Sequence, residues 1–265
     1  MTTVLVTGAT DGLGRALATR LAGDGVTVLA HARSEERGRE ALGDLLDGPG
    51  DVRLVVGDLA SLAEVRALAD QVPDRLDALV NNAGIGTSWP GDGARMESAD
   101  GYELRFAVNY LAGFLLAALL RGRLVASAPA RIVNVASAGQ MAIDFDDVML
   151  EDGYDGVRAY CQSKLAQIMH AFDLAEELRD DGVTVTALHP GTYMPTKIVQ
   201  HAGVTPATPL EEGVEATWRL VADPALDGVS GSYFNGTREA RAEAQAYDAD
   251  ARRRLRELSE RLVRS

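Results

Sequence analysis

Short aliphatic and β-branched runs recur along this chain, and a longer segment with helical spacing follows almost every one. Val4-Leu5-Val6 precedes a helical pattern from Gly14 to Ala22, and Val26-Thr27-Val28-Leu29 precedes one from about Ser34 to Leu46. Val52–Val56 is followed by a pattern from Leu62 to Ala69, and Ala78-Leu79-Val80 by a long one from about Gly101 to Ala126. Arg131–Val135 leads to a strong helix from Tyr160 to Arg179, and then comes Val183–Ala187. The last third adds a helix near Glu211–Val221, a short strand at Gly231–Phe234 and a helix near Tyr247–Val263. Strands that are apolar nearly throughout belong in a parallel sheet covered on both faces. With no internal repeat and no linker, the pattern predicts one doubly wound α/β domain of Rossmann type over residues 1–265. Its sheet has about seven strands flanked by helices, and ligands bind at the carboxyl ends of the strands.

The turn after the first strand is Thr7-Gly8-Ala9-Thr10-Asp11-Gly12-Leu13-Gly14. Glycines there let the backbone turn tightly and let a pyrophosphate approach the helix N-terminus, where free N–H groups and the helix dipole favour an anion. The spacing is Gly-x-x-x-Gly-x-Gly, not the commoner Gly-x-Gly-x-x-Gly. By itself it is also compatible with an ordinary strand–helix turn.

The end of the second strand bears on which dinucleotide is used. An acid there would bond the adenosine ribose and select NAD. This chain has His31-Ala32-Arg33-Ser34 instead. Arg33 can pair with a 2′-phosphate through charge-assisted hydrogen bonds, which favours NADP.

Tyr160-Cys161-Gln162-Ser163-Lys164 puts a tyrosine and a lysine four residues apart on one predicted helix, hence on one face. A nearby ammonium stabilises a phenolate; a drop of ~3 pKa units corresponds to roughly 4 kcal/mol. Such a tyrosine exchanges a proton with a carbonyl or alcohol near neutral pH. The pair alone is common on helix surfaces, but it has company. Ser137 lies at the end of the fifth strand, Asn81-Asn82-Ala83-Gly84 follows the fourth, Asn109 sits on the long helix, and His189-Pro190-Gly191 follows the sixth.

In these motifs, taken in order, the chain resembles the short-chain dehydrogenase/reductase family over nearly its whole length. The resemblance implies that Tyr160 is the general acid in reduction, that Lys164 lowers the Tyr160 pKa and bonds the nicotinamide ribose, and that Ser137 bonds the substrate oxygen. It implies that Asn109 holds a water linking Lys164 to solvent, and that Asp58, followed by Leu59, bonds the adenine amino group. Thr7, Gly8, Thr10, Asp11, Gly12, Leu13 and Gly14 would hold the pyrophosphate. Asn82, Ala83 and Gly84 would line the ribose side, and Pro190 and Gly191 would border the nicotinamide. The long stretch between Ser137 and Tyr160, and the ending Ser230–Phe234 followed by a charged helix, are similar to the retinol-dehydrogenase-like branch. One departure is that many members carry a threonine five residues after the proline, where this chain has Pro195, with Thr196 one later.

The function expected is therefore an NADP(H)-dependent hydride transfer to or from the carbonyl or alcohol of a small molecule. The alternative is a non-catalytic dinucleotide-binding regulator, though such proteins lose residues that this chain keeps. Met141, Ile143, Tyr193, Met194 and Ile198 suggest an apolar substrate pocket, and the proline-punctuated stretch 193–209 a lid over it.

The net charge of -13 repels nucleic acid and anionic lipid, so neither nucleic acid nor membrane is expected as a partner. The apolar run Leu111–Leu120 looks too short to span a bilayer, and no signal peptide or membrane-anchoring start is evident, so a cytoplasmic location is expected. A single cysteine, Cys161, fits a reducing compartment and reads as packing. His31, His170, His189 and His201 are scattered without metal spacing, so no metal is expected. Trp89 and Trp218 read as packing, and the arginine-rich end Arg252–Arg264 as a solvated helix face. Leu111, Leu115, Leu116 and Leu119 could be core or the seam of a homo-oligomer.

Overall fold

The computed structural model describes residues 2–88 and 94–264. Trp89 lies outside them.

Eight strands form one sheet: β1 (Thr3–Val6), β2 (Thr27–Ala32), β3 (Val52–Val56), β4 (Ala78–Asn81), β5 (Ala130–Val135), β6 (Val183–His189), β7 (Ser232–Asn235) and β8 (Arg238–Ala240). Their order is β3-β2-β1-β4-β5-β6-β7-β8. The first seven pair in parallel, as the strand–helix alternation predicts. The short β8 is an antiparallel hairpin addition on β7 that the sequence pattern does not signal. The order reverses between β1 and β4, which pair in register at Val4 and Ala78, so a crevice opens beyond their carboxyl ends.

Helices α1 (Gly12–Gly23), α2 (Glu35–Leu46) and α7 (Leu210–Ala222) cover one face, burying Leu17, Leu21, Leu42 and Leu220 against Val4, Val28 and Val133. Helices α3 (Leu62–Asp70), α4 (Ala112–Ala126), α5 (Gly156–Glu177) and α8 (Ala249–Leu262) cover the other, with a short α6 (Lys197–His201) beyond β6. Local chemistry starts several of these helices. Ser34 and Ser61 accept from the backbone N–H three residues on, and Asp155 accepts from Val157 and Arg158 to open α5.

One expectation needs correction. The C-terminal helix is not merely a solvated face: Ala251, Leu255 and Ser259 are buried, and Arg256 and Arg252 pair with Asp173 and Glu176 on α5. The apolar run around Leu111 lies, as the pattern predicts, inside a long helix, in which α4 continues a π turn over Phe106–Leu111.

Candidate active site

At the turn after β1, Gly8 and Gly12 have positive φ values of 66° and 49°, which side-chain-bearing residues rarely adopt. At Gly14 the constraint is room: a Cβ would lie 2.3 Å from the Gly8 carbonyl oxygen and 2.4 Å from Asn82 Nδ2. Thr7, buried, accepts through Oγ1 from the N–H groups of Asn82 and Ala83 and donates to the Val80 carbonyl. The loops after β1 and β4 are thereby locked together, and Asn82 Nδ2 completes the lock by donating to the Thr7 carbonyl at 2.8 Å. A bare backbone turn opening onto the first turn of α1 fits a pyrophosphate.

His31 belongs to this lock, although sequence reasoning passed over it. Its Nδ1 accepts from the Gly8 N–H at 3.0 Å and its Nε2 lies 2.8 Å from the Gly57 carbonyl. Because Gly8 can only donate, Nε2 must carry the proton. Burial holds its pKa below the usual histidine value. Asp58, next to Gly57, is tied in by its own N–H to Glu64 and by Oδ1 to the Ala60 N–H, and Leu59 is buried beside it. Arg33 is exposed just past β2.

The proton-transfer groups gather at the end of β5. Ser137 and Tyr160 face each other across Gly139, close enough for the serine hydroxyl to favour the phenolate. The Gly139 N–H donates to Ser137 Oγ at 3.0 Å, and the ideal Cβ of Gly139 would lie 3.5 Å from that oxygen and 3.7 Å from the Tyr160 ring. Ser137 is steadied from behind, since its carbonyl accepts from Tyr233 on β7 and from Gln140. Asp155 caps α5 one turn before Tyr160, which starts the helix earlier than the sequence pattern predicts and fixes the tyrosine inside it.

Lys164 lies one turn beyond Tyr160, as the spacing requires, but its ammonium turns toward the sheet. Nζ donates to the Val135 carbonyl and to Gln167 Oε1, both at 2.9 Å, and sits 5.8 Å from the Tyr160 ring centroid. The expected lowering of the Tyr160 pKa by Lys164 is not found in the free chain. Burial pushes the phenol up, and the neighbouring Ser137 hydroxyl opposes it. Spacing puts two side chains on one face but does not aim the longer of them. Burial also pushes Lys164 itself down to about 7.

Asn109 lies inside the π turn, an irregularity frequent at functional sites. Its Oδ1 accepts from the Ile85 N–H at 2.8 Å and its Nδ2 donates to Ser163 Oγ at 2.9 Å. The side-chain amide thereby ties the loop after β4 to Ser163 on α5. Gly84 faces both Asn109 and Lys164: a Cβ there would lie 3.3 Å from Asn109 Oδ1 and 3.4 Å from Nζ.

Pro190 is buried and Gly191 packs against Thr208, so the two ends of segment 193–209 meet. Thr192 N–H also donates to Thr208 Oγ1. Between them the segment lies over the glycine turn. The Thr196 methyl would be 2.8 Å from a Cβ on Gly12, and Lys197 pairs with Asp11 at 3.7 Å. Within the segment Tyr193 takes a left-handed φ of 50°. Of the expected apolar pocket residues, Ile143 and Met194 are buried packing, whereas Met141, Tyr193 and Ile198 are exposed, together with Val157.

A buried ionic cluster missed by sequence reasoning braces this site. Arg105, fully buried, donates to the carbonyls of Gly86 and Thr87 and to the Tyr154 hydroxyl, which donates to Glu103. Its parts are spread over residues 86–154, and no local spacing announces them.

A family profile described as short chain dehydrogenase matches residues 2–207. Retinol dehydrogenase 13 of Mus musculus is 37% identical over 98% of this chain and 83% of its own length. Among solved structures, an uncharacterized protein from Mycobacterium paratuberculosis superposes with a TM-score of 0.82 at 28% identity, covering 100% of this chain and 94% of that one. The NADP complex of RhlG from Pseudomonas aeruginosa superposes with a TM-score of 0.72 at 27% identity, covering 88% and 94%.

These findings overturn the exclusion of a membrane from the partners. Relatives matched over almost the whole chain are named for retinol, a lipid-soluble alcohol. The continuous helix Phe106–Ala126, 21 residues with a mean hydropathy of 1.4, is also long and apolar enough to cross a bilayer by length and composition, although half of it is buried in the fold. Net charge opposes electrostatic attraction to anionic lipid; it does not oppose apolar contact. The matched profile and the relatives' near-complete coverage agree with the glycine turn and the Ser137–Tyr160–Lys164 cluster: this chain belongs to the short-chain dehydrogenase family, as an oxidoreductase of the retinol dehydrogenase-like kind.

Proposed function

We propose that this protein is an NADP(H)-dependent oxidoreductase acting on the carbonyl or alcohol of an apolar small molecule, with Tyr160 as general acid/base. The observation that carries the reading is Ser137 and Tyr160 brought together across Gly139 at the end of β5, with Lys164 one helical turn beyond. A nicotinamide dinucleotide, when bound, supplies or accepts the hydride.

The chain's own groups do the rest. Burial keeps the Tyr160 phenol protonated at neutral pH, the state needed to donate a proton to a carbonyl oxygen. Ser137 Oγ, held by Gly139, orients that oxygen. The glycine turn and the start of α1 take the pyrophosphate, and Gly84, where a Cβ would lie 3.4 Å from Lys164 Nζ, lets the loop after β4 come close to the lysine on the ribose side. Exposed Arg33, in an end of β2 that reads His31-Ala32-Arg33-Ser34 with no acid among those four, favours a 2′-phosphate, hence NADP over NAD. Exposed Met141, Val157, Tyr193 and Ile198 support an apolar substrate, and the tied ends of segment 193–209 support its use as a lid that excludes water.

The test is Tyr160→Phe, which keeps the ring and removes the proton. NADPH affinity should be retained within a few-fold while turnover falls by at least ~100-fold. A variant reducing its substrate at close to the parent rate would refute the role.

A further inference from the structure

Gln167, one turn beyond Lys164 on α5, has no part in the roles assigned above, yet it is buried and in contact with the catalytic lysine. Its Oε1 accepts from Lys164 Nζ at 2.9 Å, and the Val135 carbonyl accepts a second proton from the same nitrogen at 2.9 Å. Gln167 is itself held in place, since Asn134 Nδ2 donates to its backbone carbonyl at 3.0 Å. Asn134 in turn accepts from Asn81. An amide network thus runs from the end of β4 through β5 to α5 and ends at the lysine.

An ammonium has three N–H donors. Two are taken by oxygens toward the sheet, which leaves one for the side where Gly84 approaches so closely that a Cβ there would lie 3.4 Å from Nζ. We propose that Gln167 is a positioning residue for Lys164: its amide oxygen and the Val135 carbonyl grip the ammonium so that its remaining N–H faces the cofactor side of the site. A neutral acceptor suits this task. It stabilises the buried charge without neutralising it, whereas a carboxylate would draw the ammonium into an ion pair.

The inference rests on the proposed function for the use made of that N–H, but the grip can be tested in the free protein. The chain has only two lysines, Lys164 and Lys197. Lysine labelled at Cε and Nζ therefore gives two signals in NMR, with exposed Lys197 on α6 as the internal reference. The titratable groups facing Lys164 are Tyr160 on its own helix and His189 at the end of β6. Burial first, and the lysine second, lower the His189 pKa, so that histidine is neutral at pH 7. In the parent protein Lys164 should titrate near 7.

Gln167→Leu removes one acceptor from a buried cation and should move that titration down by about one unit, whereas Gln167→Glu should move it up by about one unit or more. The ammonium is the form present below its pKa. The loss of NADPH affinity with rising pH should accordingly shift toward acid in the first variant and toward alkali in the second. A packing role alone would lower the melting temperature without producing opposite shifts. If Gln167→Leu does not fold, the upward shift in the near-isosteric Gln167→Glu decides the matter alone. An unchanged Lys164 titration overturns the proposal. Shifted titrations with NADPH affinity indifferent to them support the grip on the ammonium and overturn the role of Lys164 toward the cofactor.

Discussion

Replacing Arg105 by methionine removes the cation from a cluster whose two charged side chains are both buried. Arg105 is 0% exposed and Glu103 1%. Arg105 Nε donates to Gly86 at 2.8 Å, Nη2 to Thr87 at 2.8 Å and Nη1 to the Tyr154 hydroxyl at 2.6 Å, while Glu103 lies 3.6 Å from Nη1. Breaking a buried pair from one side leaves the other charge uncompensated, at a cost of about 3–5 kcal/mol. With a urea slope of about 3 kcal/mol per M, the unfolding midpoint should fall by roughly 1 M or more. Arg105→Met combined with Glu103→Leu should cost less than the sum of the single changes, because the second removes the charge stranded by the first.

Arg105→Lys keeps the charge but not the fork and should lose one or both loop carbonyls. That matters for chemistry. Thr87 O lies so close to Gly156, the first residue of α5, that a Cβ there would be 2.3 Å from it. The cluster therefore sets the spacing between the loop after β4 and the helix carrying Tyr160. Arg105→Lys should remain folded at 25 °C with turnover reduced on the order of 10-fold, since small misplacements of reacting groups are costly. Destabilisation of Arg105→Met by less than about 1 kcal/mol, typical of an exposed pair, would refute the account.

Gly14→Ala should destabilise by about 1–3 kcal/mol in urea unfolding and abolish measurable NADPH binding by calorimetry, because its Cβ meets backbone at 2.3 Å. Gly23→Ala on the same helix meets nothing within 4 Å and is the control. Arg33→Ala should weaken NADPH binding far more than NADH binding by calorimetry, and an equal loss would refute 2′-phosphate recognition. Burial lowers the His170 pKa to about 4. Below the unfolded value of about 6.5 the unfolded chain binds protons that the folded one does not, so stability should fall with pH; at pH 4.5 His170 alone accounts for about 2.5 kcal/mol. His31 and His189 are lowered as well and add to the loss in the same direction. His170→Phe should flatten the dependence between pH 6.5 and 4.5, and an unchanged slope would remove His170 from the explanation.

Residues whose task follows from their place on an element were legible in the sequence. A glycine turn after an apolar run must join a strand to a helix, and Ser137, Asn82 and Pro190 follow strands whose apolar character marks where they end. Partnerships across the sheet were not legible. His31 meets Gly8 and Gly57, 23 and 26 residues away, and Arg105 meets Tyr154 at a separation of 49. A histidine without metal spacing and an arginine on an otherwise apolar helix look unremarkable until the chain brings their acceptors to them.

Direction was the other thing missing. The Tyr160–Lys164 spacing placed two side chains on one face but could not say that the ammonium would be turned toward Val135 and Gln167. In the free chain the phenol is accordingly raised by burial instead of lowered by a cation. The membrane exclusion failed for a related reason. A total charge is a sum over the surface, whereas contact with an apolar ligand or lipid is decided by patches such as Met141, Val157, Tyr193 and Ile198. Which residues remain uncovered is settled by packing, and the same apolar alphabet supplies Ile143 and Met194, which are buried. Composition constrains what the solvent sees on average; a site is made of the few residues for which that average is wrong.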